Sequence, residues 1–187
     1  HAHAALMARF PNLLTVLAPR HPHRGAEASA CAEALGLRTA RRSAGGRPLP
    51  GIDVYVADTI GEMGLFYRLS PLVFLGGSLV PRGGQNPIEP VRLDTAILHG
   101  PHTHNFAEVY AALDRAGGAS PVANGAELTN LVGHLLADRS QLSRMARVGQ
   151  EALIPFEGAV ARTLAVLDPF VAQMKLAGLN AAIRGRA

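Results

Sequence analysis

The sequence predicts an α/β fold, a doubly wound parallel sheet of the Rossmann-like kind. Apolar runs of strand length recur along the chain and alternate with segments whose apolar residues follow helical spacing, which is the pattern of βαβ units. Aromatic residues are few, with six Phe, three Tyr and no Trp in 187 residues. The core must therefore be built from aliphatic side chains, as is typical of buried parallel strands.

The first elements follow from this alternation. A short helix is expected near residues 3–9, and the apolar run at residues 13–19 has the length of a buried strand and ends at a proline. Residues 26–36 place apolar side chains at helical spacing and end at a glycine, which commonly follows a helix. The stretch RRSAGGRPLPG, residues 41–51, has no periodicity and predicts a surface loop between two units.

The remaining elements continue the same pattern. A helix is predicted to begin at Pro87, because Asn86, Pro87 and Glu89 have the spacing of an N-cap, a first-turn proline and a third-position acid. The other predicted elements are strands at 52–59, 71–77, 95–101 and, weakly, 119–123, and helices at 62–70, 106–117, 125–137, 140–153 and 157–184, with a break near Pro155.

Charge and composition limit the possible partners. The net charge of +4 comes from arginines spread along the chain, with Lys175 as the single lysine, and only 17% of residues are charged. Arginine suits phosphate and carboxylate ligands, although the same residues could equally be a solvated surface. No basic motif is interleaved with aromatic residues, so no nucleic-acid partner is expected.

The predicted compartment follows from two further features. Cys31 is the single cysteine and cannot form an internal disulfide, which favours a reducing, cytoplasmic environment. No apolar run reaches the roughly 18 residues of a membrane span. The chain itself is therefore expected to be soluble.

Two loops that follow predicted strands carry candidate ligand-binding groups, since ligands of open parallel sheets bind beyond the carboxyl ends of the strands. The loop PRHPHR, residues 19–24, offers two guanidinium groups for a phosphate, with Arg20 and His21 directly after the strand. In DTIGEMG, residues 58–64, Gly61 lets the backbone approach a ligand, while Glu62 could be only a first-turn acid.

The stretch FLGGSLVPRGGQNPIEP, residues 74–90, is the most informative. Gly76 and Gly77 supply backbone freedom, Ser78 adds a hydroxyl donor, and a helix starting at Pro87 would present its first amides to an anion. Glu89 could cap its own helix or accept hydrogen bonds from ribose hydroxyls. Capping alone does not explain so many glycines beside a serine and an arginine, so a binding function is favoured.

A fourth loop, HGPHTHNF at residues 99–106, contains three histidines. No cysteine or acidic pair completes a zinc set with His102 and His104, so neither a metal nor a cofactor is expected. Asn105 is interpreted as an N-cap of the helix that follows.

At these residues the sequence resembles the 3-deoxy-D-manno-octulosonic acid (Kdo) transferases of lipopolysaccharide synthesis. The run GGSLVPRGGQNPIEP followed by GPHTHNF is very similar to the donor-binding domain of that family, and PRHPHR and DTIGEMGLFY match other family motifs in the expected order. The resemblance covers roughly residues 4–150. It implies the C-terminal half of a GT-B glycosyltransferase, an inverting enzyme that transfers Kdo from CMP-Kdo to a lipid A precursor.

The resemblance also implies residue roles. Arg20 and His21 would contact the phosphate of the donor, and Gly61, Glu62 and Met63 would contact the nucleotide. Ser78, Asn86 and Glu89 would complete the donor site beside Gly76 and Gly77, with Glu89 on the ribose. Gln85 stands where many relatives have histidine, which puts the role of that position in doubt.

The implied enzyme is larger than this chain. Residues 1–187 are expected to form one donor-binding domain with a helical tail over 157–187. The N-terminal domain, with the acceptor site, the membrane anchor and the general base, is expected to be absent, so the fragment alone should be inactive. The full-length protein would work at the cytoplasmic face of the bacterial inner membrane.

Two alternatives remain open at this stage. The same sheet could serve a different GT-B enzyme that uses a UDP-sugar donor, or a nucleotide-binding module with no catalytic role, because a fold does not fix a function.

Overall fold

The structure is a computed structural model that describes residues 1–158 and 163–174. Its contacts divide the chain into two compact units, His1–Leu153 and Ile154–Ala187. The larger unit contains the strands described below. In the smaller unit, Ile154–Phe156 form a 3-10 turn and residues 163–174 are helical.

Six short parallel strands form two sheets in the larger unit. The first sheet has the order β1-β3-β2 and the second has the order β4-β5-β6. In the registers, Val54 lies opposite both Thr15 and Thr39, and Ile97 lies opposite both Val73 and Ala119. The strand bounds are β1 Thr15–Leu17, β2 Thr39–Arg41, β3 Val54–Val56, β4 Leu72–Leu75, β5 Ala96–His99 and β6 Ala119–Pro121.

Seven helices accompany these strands in the larger unit as the structure describes it. Parallel neighbours need a crossover, and α2, α4 and α5 lie between consecutive strands of the same sheet, whereas α3 lies between the last strand of one sheet and the first of the other. The bounds are α1 Ala2–Leu6, α2 Gly25–Glu33, α3 Met63–Leu69, α4 Ile88–Arg92, α5 Ala107–Ala116, α6 Gly125–Ala137 and α7 Arg139–Leu153. The predicted class, α/β with parallel strands, is confirmed.

Most predicted elements are present, but one strand was missed. Residues 39–41 form β2 at an edge of the first sheet, where the sequence predicted a loop from residue 41 onwards. Three residues with mixed polarity give no periodicity to detect. The predicted helix over 157–184 is helical at 163–174, whereas 157–158 form a turn and the other residues of that prediction lie outside the described ones.

The central strand of each sheet is buried on both faces. All residues of β3 and of β5 are buried, as expected for strands with neighbours on both sides and helices above and below. Leu98 of β5 packs with Leu135, Leu142 and Met145 of α6 and α7. The buried central strands therefore fix the positions at which the loops at the carboxyl ends of the sheets begin.

Candidate functional site

The loop after β1 presents cationic and aromatic groups at the carboxyl end of the first sheet. Arg20 is exposed, and its Nη1 lies 3.4 Å from Oε1 of Gln85, in the loop that follows β4. His21 is exposed and its ring stacks on that of His23, with the ring centres 5.5 Å apart. The Arg20–Gln85 contact brings together the loops of the two sheets.

Arg20 differs from other arginines of this region in its partner. Within the described residues it has no carboxylate partner, and Gln85 offers only a neutral amide oxygen. Four other arginines pair with acids: Arg24 with Glu27, Arg38 with Asp53, Arg41 with Asp58 and Arg42 with Glu62. The charge of Arg20 is thus available to an anionic ligand.

A buried carboxylate at the end of β3 holds the surrounding loops. Asp58 accepts hydrogen bonds from Nε of Arg41 at 3.0 Å, and from the amide and hydroxyl of Ser43 at 2.8 Å and 2.7 Å. Burial alone would raise the pKa of Asp58, but these hydrogen bonds outweigh it and hold the pKa below its usual value. Gly25 begins α2 against this carboxylate.

Glu62, predicted to lie against a nucleotide, is already paired. Its carboxylate accepts hydrogen bonds from Arg42, which lies 20 residues earlier, and from Thr59. The bond from Arg42, followed by that from Thr59, holds the pKa of Glu62 below its usual value. Arg42 itself was missed, because nothing in the sequence links it to Glu62. Gly61 precedes this acid with a φ of 91°, and Met63 begins α3, half-buried.

The glycine-rich loop is anchored by Ser78, whose predicted role needs correction. Ser78 is fully buried; its hydroxyl donates to the carbonyl of Leu75 and accepts the amide of Gly100 at 2.8 Å. The side chain therefore joins the ends of β4 and β5, and its hydroxyl proton is already donated within the protein. Gly76 is exposed and Gly77 has a φ of 70°, so the backbone before Ser78 turns sharply at the surface.

At the predicted anion site of the Pro87 helix, the first helical amide is already paired. The helix α4 has only five residues, Ile88–Arg92, and the amide of Ile88 donates to Oδ1 of Asn86 at 3.0 Å. The predicted positions were wrong by one residue: the helix begins at Ile88 and its N-cap is Pro87, while Asn86 precedes the cap and occupies the first helical amide. Pro87 is buried.

Glu89 remains available to a ligand. It is exposed, and Oε1 lies 3.9 Å from the position that a Cβ would take at Gly64 in α3. By contrast, the described part of the chain shows no hydrogen bond that joins His21, Gly61 or Met63 to the other predicted residues.

Asn105 clamps the glycine-rich loop, which corrects its interpretation as an N-cap. It lies in the 3-10 turn His104–Phe106, and its Nδ2 donates to the carbonyls of Arg82 at 3.1 Å and Gly84 at 3.2 Å. A Cβ at Gly83 would lie 2.4 Å from Oδ1 of Asn105. Through Asn105, the histidine-containing motif therefore holds the glycine-rich loop by hydrogen bonds to its main chain. The sequence did not suggest this role.

Three other kinds of site lie elsewhere or are absent among the described residues. A cavity of about 340 Å³ lies at the amino ends of β4 and β5, away from these loops, and is lined by Pro71, Asp94, Leu136, Arg139, Leu142, Ser143 and Ala146. In the same part of the chain, no three His, Cys, Asp or Glu side chains are grouped to hold a metal ion. No helix there has the length and apolar character to cross a membrane.

Comparison with known proteins connects this geometry to a family. The chain is 36% identical over 171 residues to the 3-deoxy-D-manno-octulosonic acid transferase of Haemophilus influenzae, and 38% identical over 165 residues to that of Bordetella pertussis. These alignments cover 91% and 88% of the chain. The chain is a homologue of the Kdo transferases. The resemblance predicted from its motifs is confirmed, although no family model matches the chain.

A solved structure gives the same answer for the fold. The C-terminal CMP-Kdo binding domain of WaaA from Acinetobacter baumannii superimposes with a TM-score of 0.78 and 29% identity, covering 82% of this chain and 80% of that domain. The predicted fold, that of the C-terminal half of a GT-B glycosyltransferase, is confirmed. The chain spans about 40% of the length of the two transferases described above: 40% of the Haemophilus protein and 39% of the Bordetella protein.

Proposed function

We propose that this chain binds CMP-Kdo and forms the donor-binding part of an enzyme that transfers Kdo to a lipid A precursor in lipopolysaccharide synthesis. The observation that carries the proposal is the superposition on a CMP-Kdo binding domain over 82% of the chain. The family motifs that suggested the same activity lie in the loops at the carboxyl ends of the strands. The fold, the sequence similarity and the position of the motif loops thus all support CMP-Kdo as the ligand.

In the proposed site, Arg20 holds the phosphate of the donor. Its guanidinium is exposed, faces the glycine-rich loop through Gln85 and is not neutralised by an acid of the described chain. As CMP leaves, negative charge develops on the phosphate, and a fixed cation stabilises that charge. His21 would extend the phosphate contact, and Glu89 would accept hydrogen bonds from the ribose.

Glu62 and its neighbours complete the nucleotide pocket in this proposal. Because its carboxylate is held by Arg42, Glu62 would form a rigid wall beside the nucleotide together with Gly61 and Met63. Gly76 and Gly77 would let the backbone approach the ligand, and Asn86 would support the loop through its bond to Ile88. Ser78 would contribute only by holding β4 and β5 together.

The proposal extends to the whole enzyme. We infer an inverting transfer in which this chain supplies donor binding and the rest of the enzyme supplies the acceptor site and the general base. The 187-residue chain would therefore bind the donor without transferring it. The complete enzyme would act at the cytoplasmic face of the bacterial inner membrane, where its lipid acceptor is reached.

Thermal unfolding with matched nucleotides tests the proposed ligand. CMP, UMP and NAD are compared at equal concentrations, and CMP is expected to raise the melting temperature most. At 100 times its Kd a ligand adds about 2.7 kcal/mol, which corresponds to roughly 5–10 °C for a domain of this size. Preference for UMP would indicate a UDP-sugar enzyme, and stabilisation by NAD would indicate a different nucleotide-binding protein. No response to any of the three would refute a nucleotide site.

A further inference from the structure

A buried histidine at the end of β5 lies beneath the glycine-rich loop. His99 is 3% exposed, with Nδ1 2.7 Å from the carbonyl of Gly100 and Nε2 2.9 Å from Oδ1 of Asp114 in α5. A carbonyl oxygen and a carboxylate oxygen both accept hydrogen bonds, so a protonated ring, with an N–H on each nitrogen, satisfies both contacts. Burial would lower the pKa of His99, but the contacts with Asp114 and Gly100 together outweigh burial and raise it.

The next member of this arrangement is Tyr110, also on α5. Its ring centre lies 4.6 Å from that of His99, with the ring planes inclined by 57°. An aromatic ring in this arrangement is attracted to a cationic neighbour. Tyr110 is 1% exposed, and burial raises the pKa of its hydroxyl, so the hydroxyl remains a donor.

Tyr110 in turn holds the loop that faces Arg20. Its hydroxyl donates to the main-chain carbonyl of Gln85 at 2.7 Å, and the side chain of Gln85 contacts Arg20 at 3.4 Å. A chain of contacts thus runs from Asp114 through His99, Tyr110 and Gln85 to Arg20. His99 and Tyr110 are buried, Gln85 is half-buried, and Arg20 is exposed at the proposed donor site.

We propose that His99 and Tyr110 are positioning residues for donor binding, because they fix the Gln85 segment and, through it, the guanidinium of Arg20. This inference rests on the proposed function. Neither residue contacts the donor. The pair lowers the cost of ordering Arg20 when the phosphate arrives, since a preorganised group loses less freedom on binding.

Isothermal titration of the 187-residue chain with CMP tests the hydroxyl of Tyr110. The variant Tyr110→Phe keeps the ring and removes one hydrogen bond, so it is expected to bind CMP about threefold to tenfold more weakly. Thr95→Val is the matched control: it removes a buried hydroxyl that donates to the carbonyl of Tyr67 at 3.0 Å, at the amino end of β5. It should lower the melting temperature and leave CMP affinity unchanged.

Combining Tyr110→Phe with a substitution of Arg20 distinguishes a positioning role of Tyr110 from a general loss of stability. In an Arg20→Ala background, Tyr110→Phe should change CMP affinity by less than about twofold, because the group that it positions is gone. A full, additive effect in that background would overturn the proposal, and so would unchanged affinity of Tyr110→Phe alone. If the parent chain does not bind CMP, the proposed function fails first, and this inference fails with it.

His99 is tested by His99→Gln, with Asp114→Asn as a second variant should the first not fold. Either one should weaken CMP binding to the same extent as Tyr110→Phe, and combining it with Tyr110→Phe should add less than about twofold. Parent-like affinity in a folded variant of either kind would remove His99 from the arrangement.

Discussion

The contact between Gly25 and Asp58 gives a sharp test of how the loop after β1 is held. Gly25 is the first residue of α2, and a Cβ added there would lie 2.0 Å from Oδ2 of Asp58 and 2.5 Å from its Cβ. Such distances are far below van der Waals contact. In Gly25→Ala, either the helix or the buried carboxylate must move by well over an ångström.

The expected cost follows from what the carboxylate would lose. Asp58 is buried, and moving it breaks its bonds to Arg41 and Ser43. Leaving a buried charge without its partner costs about 3–5 kcal/mol. Replacing glycine by alanine at a compatible site gains only about 0.4–1 kcal/mol. We therefore expect Gly25→Ala to lose about 2–4 kcal/mol of unfolding free energy.

Urea unfolding followed by circular dichroism measures this loss. Gly125→Ala is the matched control, because Gly125 is likewise the first residue of a helix and has no neighbour within 4 Å of an added Cβ. It should be neutral or slightly stabilising. In an Asp58→Gly background, Gly25→Ala should cost little, since both the carboxylate and the Cβ that obstruct the new methyl group are gone. A Gly25→Ala variant as stable as the parent would refute the reasoning.

Three further outcomes are expected. Arg20→Ala should weaken CMP binding in titration calorimetry by about 1.5–3 kcal/mol. Arg24→Ala should leave CMP binding unchanged, because the guanidinium of Arg24 already pairs with Glu27. Equal losses of affinity in the two variants would contradict the role of Arg20. Gly83→Ala should lower the free energy of unfolding, measured in urea, by about 1–3 kcal/mol, because residue 83 has a φ of 86° and the added Cβ would meet Asn105. Stability equal to that of the parent would exclude this clash. Burial would lower the pKa of His99, but the hydrogen bonds to Asp114 and Gly100 and the charge of Asp114 together outweigh burial and raise it. The contribution of His99 to stability is therefore full below about pH 6.5 and is lost as the pH rises through the folded pKa. The melting temperature should fall more from pH 6 to 9 in the parent than in His99→Gln, and identical pH profiles would refute this expectation.

The sequence was informative where a pattern is local. The strand and helix alternation depends on short-range periodicity, and it located all strands of the described chain except β2. The spacing of Asn86, Pro87 and Glu89 predicted the start of α4 to within one residue, although the N-cap is Pro87 and not Asn86. The family motifs lie in loops that were expected to meet at the carboxyl ends of the strands, because such loops share one edge of a parallel sheet.

Long-range partners explain what the sequence could not supply. Glu62 is held by Arg42 from a segment predicted as a featureless loop. The hydroxyl of Ser78 is used up by β4 and β5, which no spacing rule reveals. The buried role of His99 was not predicted, because its partner Asp114 lies on the following helix. Each of these depends on which segments the fold brings together.

The close approach of Gly83 and Asn105 has an evolutionary consequence. The two positions share the volume of roughly one side chain, so a larger residue at 83 requires a smaller one at 105. Substitution at either position first passes through a destabilised intermediate. Among relatives that keep this loop, the two residues should be inherited together and change in pairs.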